Sequence, residues 1–192
     1  MHVAVFLDRD GTINEEMGYI NHLDRFVLIP GAAASIRSIN ESGLKAVVVT
    51  NQSGVARGYF LQELIDEVHQ KMSDLLEKDA AFWDGIYTCT HAPTRKGESG
   101  GCGCRKPKIG LMKQAAQELS LDLEKSYVVG DRFKDVEMAR NAGAKAILVL
   151  TGYGKGELEF LGPSSKVQAD FVAEDLAEAV EWILSDMSSK VS

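Results

Sequence analysis

Asp8 and Asp10 stand one residue apart where the apolar run of residues 3–7 breaks off ahead of Gly11 and Thr12. A carboxylate held at such a break can attack phosphorus and carry the phosphoryl group as an aspartyl-phosphate, which divides one hard hydrolysis into two easier steps. A carboxyl group two residues further on can protonate the leaving oxygen and afterwards take a proton from water. Thr50 and Asp131 end apolar runs of the same kind, at residues 45–49 and 126–130, and Asp135 lies one helical turn beyond Asp131. If these runs are neighbouring strands, Asp8, Thr50 and Asp131 converge at one edge of a sheet. Clustered carboxylates repel, and a hard divalent cation such as Mg²⁺, which takes a few carboxylates with phosphate oxygens and water, relieves the repulsion. A phosphoryl group entering so anionic a site also needs a cation from the chain. Arg105, Lys106 and Lys108 are the candidates, set against the ordinary reading of a short basic run as a solvated face.

Cys89 and His91, and again Cys102 and Cys104, are separated by one residue, so in extended backbone both members of a pair point the same way. Two such pairs can close a tetrahedral Zn²⁺ site with no open position, which makes the metal structural. The plainer alternative is three free thiols and a surface histidine. Zinc is preferred because it uses every cysteine in the chain and staples the loop that carries the basic run. His2 and His22 have no such partners, and His69, beside an apolar helix face, reads as a surface residue.

The elements that must position these groups alternate between strand-like and helix-like patterns, the mark of βαβ units and a parallel sheet with helices on both faces. Strands are expected at residues 3–7, 45–50, 85–89, 126–130 and 145–150, with a short edge strand at 171–172. Helices are expected from Pro30-Gly31 to about Ser42, from Leu61 to about Lys78, over residues 110–119, after Asp131 as far as Gly143, and from Leu176 onward. Residues 15–23 read as a flap over the first strand's end, 25–29 as an extended piece, 90–107 and 152–168 as loops, and 187–192 as a frayed tail. The fold class is therefore α/β, a doubly wound, Rossmann-like parallel sheet. One domain spans residues 1–192, and no interval leaves room for a large cap domain.

The chain has 192 residues, of which 45% are hydrophobic and 26% charged, an ordinary balance for one globular core. No segment is apolar enough to span a bilayer, and the chain enters its first strand at once, so a cytoplasmic protein without a membrane partner is expected. A net charge of −7 argues against non-specific nucleic-acid binding, which depends on basic surface. A monomer acting on a small phosphorylated ligand is the expected state.

Taken together, four stretches resemble the haloacid-dehalogenase-like phosphatases. Asp8-Arg9-Asp10-Gly11-Thr12 is similar to the first motif of that family, Thr50-Asn51-Gln52 to its second, Lys106 to its third, and residues 130–135, including Asp131 and Asp135, to its fourth. The resemblance implies that Asp8 is the nucleophile and Asp10 the acid/base, and that Thr50 and Lys106 hold phosphoryl oxygens. It implies Mg²⁺ bound by Asp8, the backbone carbonyl of Asp10, and Asp131. Within the superfamily, the added Gly18-Tyr19, Ser53-Gly54, Ala56-Arg57-Gly58 and Cys104-Arg105-Lys106-Pro107 resemble the branch of heptose-bisphosphate phosphatases and the related histidinol phosphatases. That implies a phosphorylated sugar as substrate, lined by Glu16, Met17, Gly18, Tyr19, Asn51, Gln52, Ser53, Arg105 and Arg132. Between the zinc ligands, Thr90 and Ala92 depart from the usual pattern of this branch.

Two readings from other classes compete. A zinc-ribbon-like module could present Arg95, Lys96, Arg105, Lys106 and Lys108 to nucleic acid, which the overall acidity opposes. A non-catalytic phosphosugar sensor could use the same fold, against which Asp8 and Asp10 are both present.

Overall fold

The computed structural model describes residues 1–93 and 101–189. Arg95 and Lys96, and residues 190–192 of the expected tail, lie outside them. Six strands form one sheet: β1 (Ala4–Leu7), β2 (Lys45–Asn51), β3 (Gly85–Cys89), β4 (Tyr127–Gly130), β5 (Lys145–Val149) and β6 (Phe171–Ala173). The order is β3-β2-β1-β4-β5-β6 and every pairing is parallel. The chain winds outward from β1 to β3, then returns to the other side of β1 as β4. That reversal opens a crevice beyond the carboxyl ends of β1 and β4, the place where sheets of this kind bind ligands.

Side chains alternate between the two faces of each strand, and each face has its own core. On one side Val5, Leu7, Ala46, Val48 and Val129 meet α1 (Ala32–Glu41), α2 (Gln62–Glu77) and the C-terminal helix α5 (Leu176–Ser189). On the other, Ala4, Phe6, Val47, Val49 and Val128 meet α3 (Gly110–Leu119) and α4 (Phe133–Ala142). This is why the central strands are apolar without a break. Each buried valine, leucine or phenylalanine among these contributes about 1.5–3 kcal/mol, which anchors the strand ends under a polar site.

Three expected local features differ. Residues 152–168 are not an open loop: a helical turn at Gly154–Gly156, a π-type turn at Glu157–Leu161 and a 3-10 turn at Gly162–Ser164 run through them. The Glu157 carboxylate accepts a hydrogen bond from the Phe133 N–H, at 2.8 Å, at the start of α4, a tertiary contact that local glycine content hides. Leu23–Arg25 is a 3-10 turn, so only residues 27–29 of the expected extended piece pair with residues 13–15, through Glu15 N–H to Val27 O and Ile29 N–H to Ile13 O. Met187, Ser188 and Ser189 belong to α5 rather than to a frayed tail. Among the described residues no helix is long and apolar enough to cross a membrane, and no separate cap domain covers the sheet edge.

Candidate active site

β1 ends directly before Asp8, β4 directly before Asp131, and Thr50 is the penultimate residue of β2. Because β1 lies between β2 and β4, the three groups are brought together as the spacing requires. Carboxylate oxygens of Asp8, Asp131 and Asp135 lie within 4.8 Å of one another. The loops around them approach closely at two glycines of positive φ. A Cβ on Gly11 would lie 2.1 Å, and one on Gly152 2.2 Å, from Asp131 Oδ2. That oxygen accepts the Tyr153 N–H at 2.8 Å. Asp131 Oδ1 is buried without a hydrogen-bond partner among the described residues.

Lys106 reaches this cluster from the loop before α3. Its ammonium lies 2.7 Å from Asp8 Oδ2 and 2.7 Å from Asp135 Oδ1, and the residue is only 4% exposed. Burial alone would push the lysine pKa down; the Asp135 and Asp8 charges outweigh it and hold the group well above its ordinary value. Burial raises the Asp8 carboxyl to about 7, Lys106 opposing and Asp135 adding to the rise. Burial and the Asp8 charge raise Asp131 to about 8. One ammonium therefore does not neutralise the three carboxylates. The buried unpartnered oxygen and this excess of negative charge are what a hard, oxygen-seeking divalent cation fits.

Asp10 is handled differently. Its carboxylate accepts Arg9 Nη2 at 2.9 Å on both oxygens, Asn14 Nδ2 at 3.0 Å and Gln52 Nε2 at 2.7 Å. Burial pushes its pKa up, but Arg9 and these donors prevail and hold it below the usual carboxylate range. Gln52 also donates to Thr50 Oγ1 at 2.9 Å, so it stands behind Asp10 and Thr50.

A cavity of about 230 Å³ opens over these groups, lined by Asp8, Asp10, Thr50, Lys106, Asp131 and Asp135 at its floor. Of the other residues expected around a substrate, Glu16, Gly18, Tyr19, Asn51, Ser53, Arg105 and Arg132 line it as well. Met17 packs its side chain against the apolar core instead, and Gln52 is turned inward as described. His69 is half-buried rather than a surface residue, its Nε2 3.5 Å from Arg9 Nη1; burial and then the Arg9 charge lower its pKa to about 4. Arg9, Asn14, Lys134 and Tyr153 were not expected at the site. Arg9 and Asn14 sit inside or beside the first motif, and a charged residue between two carboxylates is a signal for the former. Tyr153 has no motif to announce it.

Beside the cavity, Cys89 Sγ, His91 Nδ1, Cys102 Sγ and Cys104 Sγ all lie within 4.8 Å of one another. Cys89 Sγ is 3.6 Å from Cys102 Sγ and 3.2 Å from Cys104 Sγ, and His91 Nδ1 is 3.3 Å from Cys104 Sγ. Metal–sulfur bonds of about 2.3 Å at tetrahedral angles predict edges of roughly 3.8 Å, so the cluster fits zinc after slight expansion. Its backbone is tied to the basic run: Arg105 Nη1 donates to His91 O at 3.1 Å and Lys108 Nζ to Cys102 O at 2.7 Å. From the other side Lys106 N–H donates to Asn51 Oδ1 at 3.1 Å.

This parallel sheet with clustered aspartates at its switch point is matched over residues 103–179 by the HAD-hydrolase-like family model. D-glycero-D-manno-heptose-1,7-bisphosphate 7-phosphatase of Thermosynechococcus vestitus is 40% identical over 193 residues, covering 97% of this chain and 98% of that one. The D-glycero-beta-D-manno-heptose-1,7-bisphosphate 7-phosphatase of Escherichia coli is 39% identical over 185 residues, covering 94% and 93%. The crystal structure of D,D-heptose 1,7-bisphosphate phosphatase from B. bronchiseptica, complexed with magnesium and phosphate, matches with a TM-score of 0.85 and 32% identity, over 97% of this chain and 99% of that one. The chain belongs to the heptose-1,7-bisphosphate 7-phosphatase family of haloacid-dehalogenase-like phosphatases.

Proposed function

We propose that the chain is a Mg²⁺-dependent phosphatase that removes the 7-phosphate of D-glycero-D-manno-heptose 1,7-bisphosphate. The observation that carries the reading is the group of Asp8, Asp131 and Asp135 around the Lys106 ammonium, Asp131 and Asp135 buried and Asp8 partly so, in a chain of this family. Asp8 is the nucleophile: its carboxylate oxygen bonds to phosphorus as the bond from phosphorus to the sugar oxygen breaks, and Asp10 gives that oxygen a proton. Water then attacks phosphorus, Asp10 takes the water's proton, and the bond to Asp8 breaks to release phosphate. In the geometry described, Asp10 is held ionised by Arg9, the form suited to the second half of the cycle; to donate a proton first, it must leave the Arg9 fork. Thr50 and Lys106 hold the phosphoryl oxygens. Asp8, the Asp10 backbone carbonyl and Asp131 would hold Mg²⁺, which supplies positive charge against the developing oxyanions when bound.

Comparing kcat/KM for phosphate release from the heptose bisphosphate and from histidinol phosphate tests the substrate, since only that ratio measures discrimination. The bisphosphate is expected to be preferred by at least about tenfold, the scale of one or two polar contacts. Preference for histidinol phosphate would overturn the substrate assignment and leave the chemistry intact.

Zinc is proposed for Cys89, His91, Cys102 and Cys104, as a staple that keeps Arg105 and Lys106 aimed at the cavity. Cys102→Ser is expected to lower zinc content below one per chain and kcat/KM by about tenfold to a hundredfold, the cost of displacing a positioning loop by an ångström or so. Mg²⁺ affinity, measured by titration, should not follow it. Unchanged zinc by elemental analysis together with unchanged kinetics would remove the staple from the account.

A further inference from the structure

Tyr153 lies outside every recognised motif, yet it touches the site twice. Its backbone N–H holds Asp131 Oδ2, and its ring carries the Arg132 guanidinium, whose Cζ is 3.8 Å from the ring centroid. The backbone beneath the ring is anchored to the floor of the site: Thr151 Oγ1 donates to Gly11 O at 2.6 Å, and Gly152 packs so closely that a Cβ there would meet Gly11 Cα at 2.6 Å. The backbone that carries the ring is thus held in place, and the ring, in a residue 42% exposed, stands against Arg132.

Two cavities meet at this ring. On one side is the cavity over the aspartates, to which Arg105, Arg132 and Lys134 contribute positive charge. On the other is a cavity of about 540 Å³ that also includes Glu15, Glu16, Gly18 and Thr151, with no lysine or arginine lining it among the described residues. An arginine left to itself would sample many rotamers and be drawn toward Glu16, whose carboxyl feels the Arg132 charge. Stacking on an aromatic face restrains the guanidinium plane while leaving its in-plane N–H fork free to bind an anion. Such a fork matches a phosphate in two-point fashion.

We propose that Tyr153 is a specificity-determining positioning residue: its ring fixes Arg132 so that the free guanidinium edge receives a second anionic group of the substrate, remote from the phosphorus under attack. This rests on the sugar-bisphosphate reading above, and the second phosphate of such a sugar is the group of that chemistry. Glu16 lines both cavities and Glu15 only the one beyond the ring, which carries no lining cation among the described residues.

A double-mutant cycle with Arg132→Gln, read on the heptose bisphosphate, tests it. Tyr153→Leu is expected to raise KM about threefold to tenfold, the size of a partly desolvated cation–π contact, with the change in KM exceeding that in kcat. Tyr153→Phe, which keeps the ring, should restore KM, and Tyr153→Leu should add nothing in the Arg132→Gln background. A substrate-free readout accompanies the cycle. The Arg132 side-chain Nε–H NMR signal, identified by its loss in Arg132→Gln, should be ring-current shifted in wild type and Tyr153→Phe and return to an ordinary position in Tyr153→Leu. Equal losses in both backgrounds, a Phe variant as impaired as Leu, or an Arg132 signal indifferent to the ring would each overturn the proposal. Failure of the substrate reading has a different signature: wild-type protein inactive on the bisphosphate while its Arg132 signal remains ring-shifted.

Discussion

Asp8→Asn should lower phosphate release by about 10⁴-fold or more, the scale of loss when a covalent nucleophile is removed, with secondary structure by circular dichroism unchanged. The amide has the shape of the carboxylate and can still accept the Arg9 N–H that Asp8 Oδ1 receives at 2.7 Å; its NH2 then faces the Lys106 ammonium that Oδ2 now accepts at 2.7 Å, a local loss that leaves the apolar core beneath untouched. A folded variant that retained wild-type turnover would overturn the assignment of Asp8 as nucleophile. The same variant carries a stability signature. An acid raised from 3.8 to about 7 on folding makes the folded state bind more protons than the unfolded state between those values. This group's contribution to the stability of the Mg²⁺-free protein therefore falls as pH rises through that window and is gone above the folded pKa. Without added Mg²⁺ the Tm of wild type should drop from pH 4 toward pH 8, and the drop should be shallower in Asp8→Asn.

The second large effect is expected at Lys106. Replacing it with methionine leaves the buried Asp135 and the largely shielded Asp8 without the ammonium that now lies 2.7 Å from each. Removing one partner of a buried ion pair costs about 3–5 kcal/mol, because the remaining charge is stranded away from water. Denaturant unfolding of Lys106→Met without added Mg²⁺, zinc left in place, should show a loss of that size, and Mg²⁺ should recover part of it by supplying charge to the same carboxylates. Phosphate release should fall about 10²- to 10³-fold even at saturating Mg²⁺, as when one preorganised donor to a developing oxyanion is removed. An unfolding midpoint indistinguishable from wild type would mean that the carboxylates are neutralised by another route.

Much of this arrangement was legible before any coordinates. Unbroken apolar runs ending in Asp8, Thr50 and Asp131 announce buried parallel strands and their shared edge, because burial on both faces leaves no alternation to blur the pattern. The four zinc-type ligands were legible as well, since side chains one residue apart share a face in extended backbone. What the pattern hid were contacts whose partners lie far apart along the chain. The turns of residues 152–168 carry few apolar residues and several glycines, and are fixed partly by Glu157 reaching Phe133, 24 residues away. Met17, adjacent to residues that do line the cavity, turns into the core because one position along irregular backbone reverses direction. His69 gives no warning of Arg9, which approaches from a loop 60 residues earlier. Tyr153 stays silent for the same reason, its roles resting on a ring face and a backbone N–H that any residue type could conceal.

The strand order bears on how such an enzyme comes to life. Phe6 pairs with Val128 and Leu7 with Val129, so Asp8, the proposed nucleophile, and Asp131, proposed to hold the cation, are joined by a contact that closes a loop of more than a hundred residues. Closures that long are among the slower events in assembling a parallel sheet. A chain emerging from synthesis carries Asp8 and Asp10 almost from the start but has no Lys106, Asp131 or Tyr153 to set beside them. With Asp8 as the proposed nucleophile, chemical competence then waits until the second half of the sheet docks.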